Sequence, residues 1–310
     1  MVGCQSARVV AVAGVVAVVA ALGACTTGGG RAEPRPDTAT ITVGSFDFAE
    51  SALLAALYGG ALERRGLPVA YRLRLGPREF VLPALHRGLV DVVVEYSGTA
   101  NQFLRVAKEP VRARPEATHA ALARASGAAN AVAAAAAPAQ DANTYVVTRR
   151  TATRYGLRTI SDLAPVARRL VFGGPVECAT RPLCLRGLRD TYGLRFGEIA
   201  ALDAGGPLTL HALETGDIDV GLLFTTDPAL RRSDLVVLRD DRHLQPAENV
   251  TPLVRRAVVD RYGPRVTDAL DGVSRHLTTE TLRALNARVA GDADAVDRVA
   301  SEWLTRAGIA

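Results

Sequence analysis

ALHRGLVDVVVEYSGT, Ala84 to Thr99, returns in pattern 128 residues downstream as ALETGDIDVGLLFTTD, Ala212 to Asp227. Gly88, Asp91, Val92 and Tyr96 of the first copy correspond to Gly216, Asp219, Val220 and Phe224 of the second. A glycine after a helix takes the left-handed C-terminal cap, and the short apolar run beyond it reads as a buried strand. Each copy therefore predicts helix, turn, strand, then an aromatic residue followed by hydroxyl side chains. Ligands sit at the carboxyl ends of strands in a parallel α/β sheet. That rule places Tyr96-Ser97 and Phe224-Thr225-Thr226 at the edges of a shared gap. Asp91 and Asp219 read as turn residues that bond backbone. Glu95 is open between a surface charge and a partner for an arginine in the gap.

Working outward, Thr40–Gly44 and Val69–Leu75 read as strands separated by a helix from Ser45–Glu50 to about Arg65, and Pro77–Arg87 as the helix before the first copy. This βαβα order predicts a parallel sheet covered by helices. Pro115–Ala137 is alanine-rich and reads as helix with a break at Gly127, and Thr144–Thr148 reads as a strand beyond a loop. Arg169–Gly173 and Glu198–Leu202 are expected strands of a second sheet. After Asp227-Pro228 the chain is expected to return, with Leu235–Leu238 as a strand and helices at Val254–Arg261, Arg265–Leu277, Glu280–Ala290 and Ala293–Arg306. The expected fold class is α/β: lobe 1 from residues 39–142 and 229–310, lobe 2 from 143–228, and two crossing segments forming a hinge.

Upstream, Arg8 precedes an apolar run, Val9 to Leu22, which is short for a membrane span and has the form of a signal peptide. Residues 1–24 are read as that signal and 25–38, rich in Gly, Pro and charge, as a flexible tether. Leu22-Gly23-Ala24-Cys25 resembles the lipobox of bacterial lipoproteins, which implies acylation of Cys25. The alternative is an ordinary secretory signal in which Cys25 is incidental. The expected location is extracytoplasmic, on the outer face of the cell membrane, held there by the lipid alone.

The body that remains, about 270 residues, is long enough for two lobes. Net charge is +5, carried almost wholly by scattered arginines, since Lys108 is the sole lysine. Without basic runs interleaved with aromatics, the sequence does not point to nucleic acid. Cys178 and Cys184, in VECATRPLCLRG, read as a disulfide outside the cytoplasm, and closing so short a loop adds about 2 kcal/mol. The five histidines at 86, 119, 211, 243 and 276 have no metal-ligand spacing, and no G-x-S-x-G, H-E-x-x-H, P-loop or G-x-G-x-x-G occurs. The chain is read as a binding protein, not an enzyme, with no cofactor.

Four ordered segments, GSFDFAES, LGPREFVLPALHRGLVDVVVEYSGT, DANTYVVT and LFTTDP, together resemble the osmoprotectant-binding proteins of ABC importers, the glycine betaine, choline and carnitine group. The resemblance runs from about Thr40 to the C-terminus and implies a type II periplasmic-binding-protein fold. In that family aromatic rings surround a quaternary ammonium group and an arginine holds a carboxylate. It implies ring contacts from Tyr96, Tyr145 and Phe224, a hydroxyl from Thr99, and carboxylate binding by Arg181. Arg181 has a second reading, as partner of Glu177 or Asp190. Phe46 stands where the family has lysine, and Leu210 where a ring is common, which together point to a bulkier or less zwitterionic ligand. The implied partners are a small osmolyte, an ABC permease and its ATPase, with the chain a monomer. The alternatives are the same fold binding a neutral or aromatic molecule, or serving as a ligand sensor.

Overall fold

The computed structural model describes residues 39–104 and 114–309. The signal segment 1–24, the tether 25–38 and Cys25 lie outside the described residues.

Among the described residues, ten strands alternate with helices: β1 (Ile41–Gly44), β2 (Val69–Arg72), β3 (Val92–Tyr96), β4 (Ala131–Ala133), β5 (Asn143–Thr148), β6 (Val171–Gly174), β7 (Glu198–Ala201), β8 (Val220–Phe224), β9 (Leu235–Leu238) and β10 (Val250–Arg255). They form two five-stranded sheets of equivalent layout, β2-β1-β3-β10-β4 and β7-β6-β8-β5-β9. The first three strands of each sheet are mutually parallel.

The fourth strand of each sheet, β10 or β5, runs antiparallel to β3 or β8. The expectation of parallel pairing does not extend to it, for a geometric reason. The parallel strands end at the gap between the lobes, and a strand arriving from the other lobe starts there. Val250 accordingly opens β10 opposite Tyr96, and Asn143 opens β5 opposite Phe224.

The repeated motif performs the same local work twice. Gly88 and Gly216 both take positive φ, 72° and 84°, in the turns before β3 and β8. Asp91 accepts the backbone N–H of Thr42 at 2.9 Å, and Asp219 accepts that of Val171 at 2.9 Å. Each aspartate thus ties the start of its strand to the neighbouring parallel strand.

The first lobe's larger core lies around the helix Ala49–Arg64, whose residues are buried on nearly every side. The sequence AESALLAALYGGALER has no polar face to offer solvent, so the C-terminal helices Pro264–His276 and Val296–Arg306 cover it. The other face of the sheet carries Phe46, Val81, Leu82, Leu85 and Val93. In the second lobe Tyr145, Phe172, Leu188 and Leu222 belong to one core, and Val146, Leu213 and Leu223 to the other.

Three sequence expectations are corrected. Leu235–Leu238 is β9 of the second sheet, paired along β5 from Tyr145↔Leu238 to Thr148↔Leu235. The second lobe therefore continues past residue 228, and the return lies beyond Leu238, where Asp141 and Glu248 of the two crossings meet. Val250–Arg255 is strand where a helix was expected from Val254, with Pro252 facing Val94 inside the sheet. Ala131–Ala133 is strand within a run read as helix, because its ladder with β10 outweighs alanine's helical preference.

The crossings lie side by side. Gln140 and Asn249 form an antiparallel bridge, and the Asp141 N–H donates to the Glu248 carbonyl at 3.0 Å. Two short connecting strands fastened to each other form a hinge with few backbone torsions left to vary.

Candidate functional site: the cleft between the sheets

A cleft of about 740 Å³ lies where the carboxyl ends of the two sheets face each other. Its first wall is the loop after β1, Phe46-Asp47-Phe48, with Tyr96 at the end of β3, Thr99 one helical turn on, and Arg78 and Glu79 at the start of the helix Arg78–His86. The facing wall is Leu222 and Phe224 of β8, Asn143 of β5 and the turn from Pro175 to Cys184. Asp141 of the first crossing reaches the cleft at the hinge.

Phe48 lies at the centre of the aromatic wall. Its ring centroid is 5.9 Å from that of Phe46, 6.3 Å from Tyr96 and, across the gap, 5.5 Å from Phe224. The rings of Phe48, Tyr96 and Phe224 thus bring faces from both lobes to one place. Phe46 is nearly buried, and the Arg78 guanidinium sits over its face at 4.9 Å from the centroid. That ring already holds a cation supplied by the protein.

Buried acids support the wall from behind. The Tyr96 hydroxyl donates to Glu50, which also accepts from the hydroxyl of Thr226 and the amide of Asn286. Asp141 accepts the Thr226 N–H at 2.9 Å and the Thr225 hydroxyl at 3.1 Å. Burial, reinforced by the neighbouring Glu50 charge, raises the Asp141 carboxyl well above its ordinary range. Thr99 gives Glu248 its N–H at 2.9 Å and its hydroxyl at 2.6 Å. Burial still pushes the Glu248 carboxyl up to about 7.

The cleft arginines are engaged by carboxylates. Arg78 donates through Nε and Nη2 to both oxygens of buried Glu95, at 2.7 and 2.9 Å. This settles the open reading of Glu95 in favour of an arginine partner. Arg181 reaches across the cleft mouth to Glu79, at 2.8 Å from Nη2 and 3.3 Å from Nε, with Glu177 at 3.5 Å. Burial, the largest single influence, acts to raise the Glu79 carboxyl, but the hydrogen bond from Arg181, a backbone hydrogen bond and the charges of Arg181 and Arg78 together hold the group below its ordinary value. A disulfide joins Cys178 to Cys184, with Cα atoms 5.2 Å apart, and closes the turn that carries Arg181.

The structure brings Tyr96, Thr99, Phe224, Phe46 and Arg181 together on the cleft. It places two other expected residues elsewhere. Tyr145 is fully buried, donates to the Leu183 carbonyl at 3.1 Å and packs against Phe172. It shares its strand face with Asn143 but lies two residues deeper, beneath the disulfide turn. Leu210 packs against the second lobe's core, as does Leu82, its counterpart 128 residues earlier, in the first. Sequence reasoning passed over Phe48, Glu50, Asp141 and Glu248. Phe48 and Glu50 stand inside GSFDFAES, where the two aromatics were the available signal; nothing local marks the other two.

Among the described residues no group of His, Cys, Asp and Glu is arranged to hold a metal ion, and no helix is long and apolar enough to cross a membrane.

The profile of the family described as "Substrate binding domain of ABC-type glycine betaine transport system" matches residues 39–306. The chain is 29% identical over 278 residues to the glycine-betaine-binding protein of Pseudomonas aeruginosa, covering 86% of this chain and 87% of that protein. It is 24% identical over 270 residues to an ergothioneine transport permease/ergothioneine binding protein of Helicobacter pylori, covering 87% of this chain and 48% of that one. The crystal structure of a glycine betaine/carnitine/choline ABC transporter protein superposes with a TM-score of 0.67 at 22% identity, over 87% of this chain and 99% of that one. The last likeness carries the fold: two α/β lobes of the type II periplasmic-binding-protein kind.

Proposed function

We propose a ligand and a mode of action for a chain that belongs to the family of substrate-binding domains of ABC-type glycine betaine transport systems. The family is one of transport receptors, not of enzymes. Within it, this protein captures a small quaternary-ammonium compatible solute between its lobes and delivers it to the permease of an ABC importer. It works outside the cytoplasm, tethered to the outer face of the membrane through a lipid on Cys25, the sequence support being the Leu22–Cys25 lipobox.

The observation that carries the ligand class is the meeting of the Phe48, Tyr96 and Phe224 rings across the gap, close to the hinge carboxylate of Asp141. A trimethylammonium head offers no strong hydrogen-bond donor, so ring faces and desolvation must hold it, at roughly 0.5 to 2 kcal/mol per favourable contact. Phe224 belongs to one lobe and Tyr96 and Phe48 to the other, so the full cage exists only when the lobes are closed. A guest with that differential affinity shifts the equilibrium toward closure. In this reading Tyr96 and Phe224 touch the guest, Phe46 holds Arg78 in place behind them, and Thr99 braces the hinge through Glu248. Glycine betaine is named for the Pseudomonas relative, which sets the class of compound to be tested.

Titration calorimetry of the full-length chain against glycine betaine, choline, carnitine and proline betaine tests this. Saturable heat is expected with at least one of the four, and silence with all of them removes the quaternary-ammonium reading.

A second reading is favoured by the ergothioneine relative. It is a larger guest that stacks a flat ring in the cleft. Ergothioneine is itself a betaine that carries a flat ring, so adding it and a flat neutral aromatic compound to the panel separates a guest chosen for its ring from one chosen for its ammonium head.

A further inference from the structure

We propose that Glu79 sets the specificity of the cleft. By occupying Arg181 from the opposite lobe, it supplies the carboxylate a zwitterionic ligand would bring, so the preferred guest is an organic cation with no carboxylate of its own. This rests on the quaternary-ammonium reading above and narrows it.

The argument is an account of the cationic groups on the cleft. Arg78 is almost wholly buried and gives two donors to the two oxygens of Glu95, an arrangement that matches the guanidinium fork to a carboxylate. Arg181 makes the same two-donor contact with Glu79, and Glu177 stands on its other side. Arg186 lies exposed at the rim, 3.6 Å from Asp190. Among the described residues that line the cleft, no arginine is left without an acidic partner. A ligand carboxylate entering here meets Glu79, Glu177 and Asp141 and must displace one of them from its donors. An ammonium head meets ring faces and the hinge carboxylate, and asks nothing of the ion pairs. The Glu79–Arg181 pair also joins the helix Arg78–His86 of one lobe to the disulfide turn of the other, so it is made on closure and excludes a guest carboxylate in the same movement.

Choline and glycine betaine form the discriminating pair, because they share the trimethylammonium head and differ in carrying an alcohol or a carboxylate. Calorimetry on the full chain is expected to show choline bound at least about tenfold more tightly than glycine betaine. Glu79→Gln removes the two-donor partner of Arg181, leaving only the longer contact to Glu177, and is expected to shift that ratio about tenfold or more toward glycine betaine, mainly by strengthening betaine binding. The double variant Glu79→Gln with Arg181→Gln is expected to lose the gain, which separates a freed guanidinium from a general loosening of the closed form. Glu79 is two-fifths exposed, so the substitution leaves no buried group stranded, and thermal unfolding of each variant is the check that it folds. A wild-type preference for glycine betaine, or a ratio unmoved by Glu79→Gln, overturns this inference and leaves the quaternary-ammonium reading standing. Absence of binding by both compounds overturns this inference, and silence of carnitine and proline betaine as well overturns the quaternary-ammonium reading with it.

Discussion

Phe48 touches three aromatic rings, one of them on the other lobe, and no other aromatic on the cleft has that position. Removing its ring takes one face from the guest and leaves Tyr96 and Phe224 without a common neighbour. Phe48→Ala is expected to weaken binding of a quaternary-ammonium ligand about tenfold to thirtyfold by calorimetry, in keeping with one lost cation-π contact of up to about 2 kcal/mol. An unchanged affinity would place the guest elsewhere. On the sequence alone, the family resemblance singles out Tyr145 in DANTYVVT and passes over Phe48 in GSFDFAES. What separates them is depth. Tyr145 lies beneath the turn from Cys178 to Cys184, which is folded down by contacts remote in sequence, whereas the loop 46–48 ends at open space. Local pattern assigns a side chain to a face of a strand; it does not say what covers that face.

At the scale of elements, the paired motifs gave reliable information. Strands β3 and β8, the left-handed glycines and the bridging aspartates stand where the 128-residue offset puts them. The misread segments are those whose structure depends on a partner from the other half of the chain. Strand β10 holds a proline between two neighbours, and β4 is alanine-rich, so neither advertises itself. Gly98 shows the same dependence. In the sequence it is one small residue in YSGT; in the structure it lies in the helix Ser97–Leu104 against the second crossing, where an added Cβ would come within 2.3 Å of the Pro246 ring and 3.0 Å of the Ala247 carbonyl. Gly98→Ala is expected to force the helix and the crossing apart, costing about 1 to 3 kcal/mol in denaturant unfolding, as overpacking at a close contact does. It should also weaken ligand binding, because the displaced segment carries Glu248. Full stability in that variant would mean the contact is not close.

At the scale of the molecule, the hinge carries a titrating group. Glu248 is buried between Thr99 and the crossing partner, with Arg78 and Glu95 as the charges that face it, and burial raises its carboxyl from 4.5 to about 7. A carboxyl raised in the folded state favours folding at low pH. Its contribution is fully present below about 4.5, fades as pH rises to about 7 and is level above, a change of about 3 kcal/mol at most. Asp141, raised in the same direction beside it, adds to the trend. The protein is expected to unfold at a higher temperature at pH 5 than at pH 8, with Glu248→Gln flattening much of that difference. A profile that instead rises toward pH 8 would show the hinge acid to be ionised without cost.

The sequence by itself determined the two-lobed α/β plan, because helix, turn and strand signals are local and the doubled motif repeats them at a fixed interval. It also identified the strand ends where a ligand would sit. Tertiary structure alone decided which aromatic side chains face the gap, where the chain returns from the second lobe, and that Arg181 meets Glu79 rather than open solvent. These outcomes turn on burial and on pairing between residues from 38 to more than 100 positions apart, and no window of neighbouring residues holds that information.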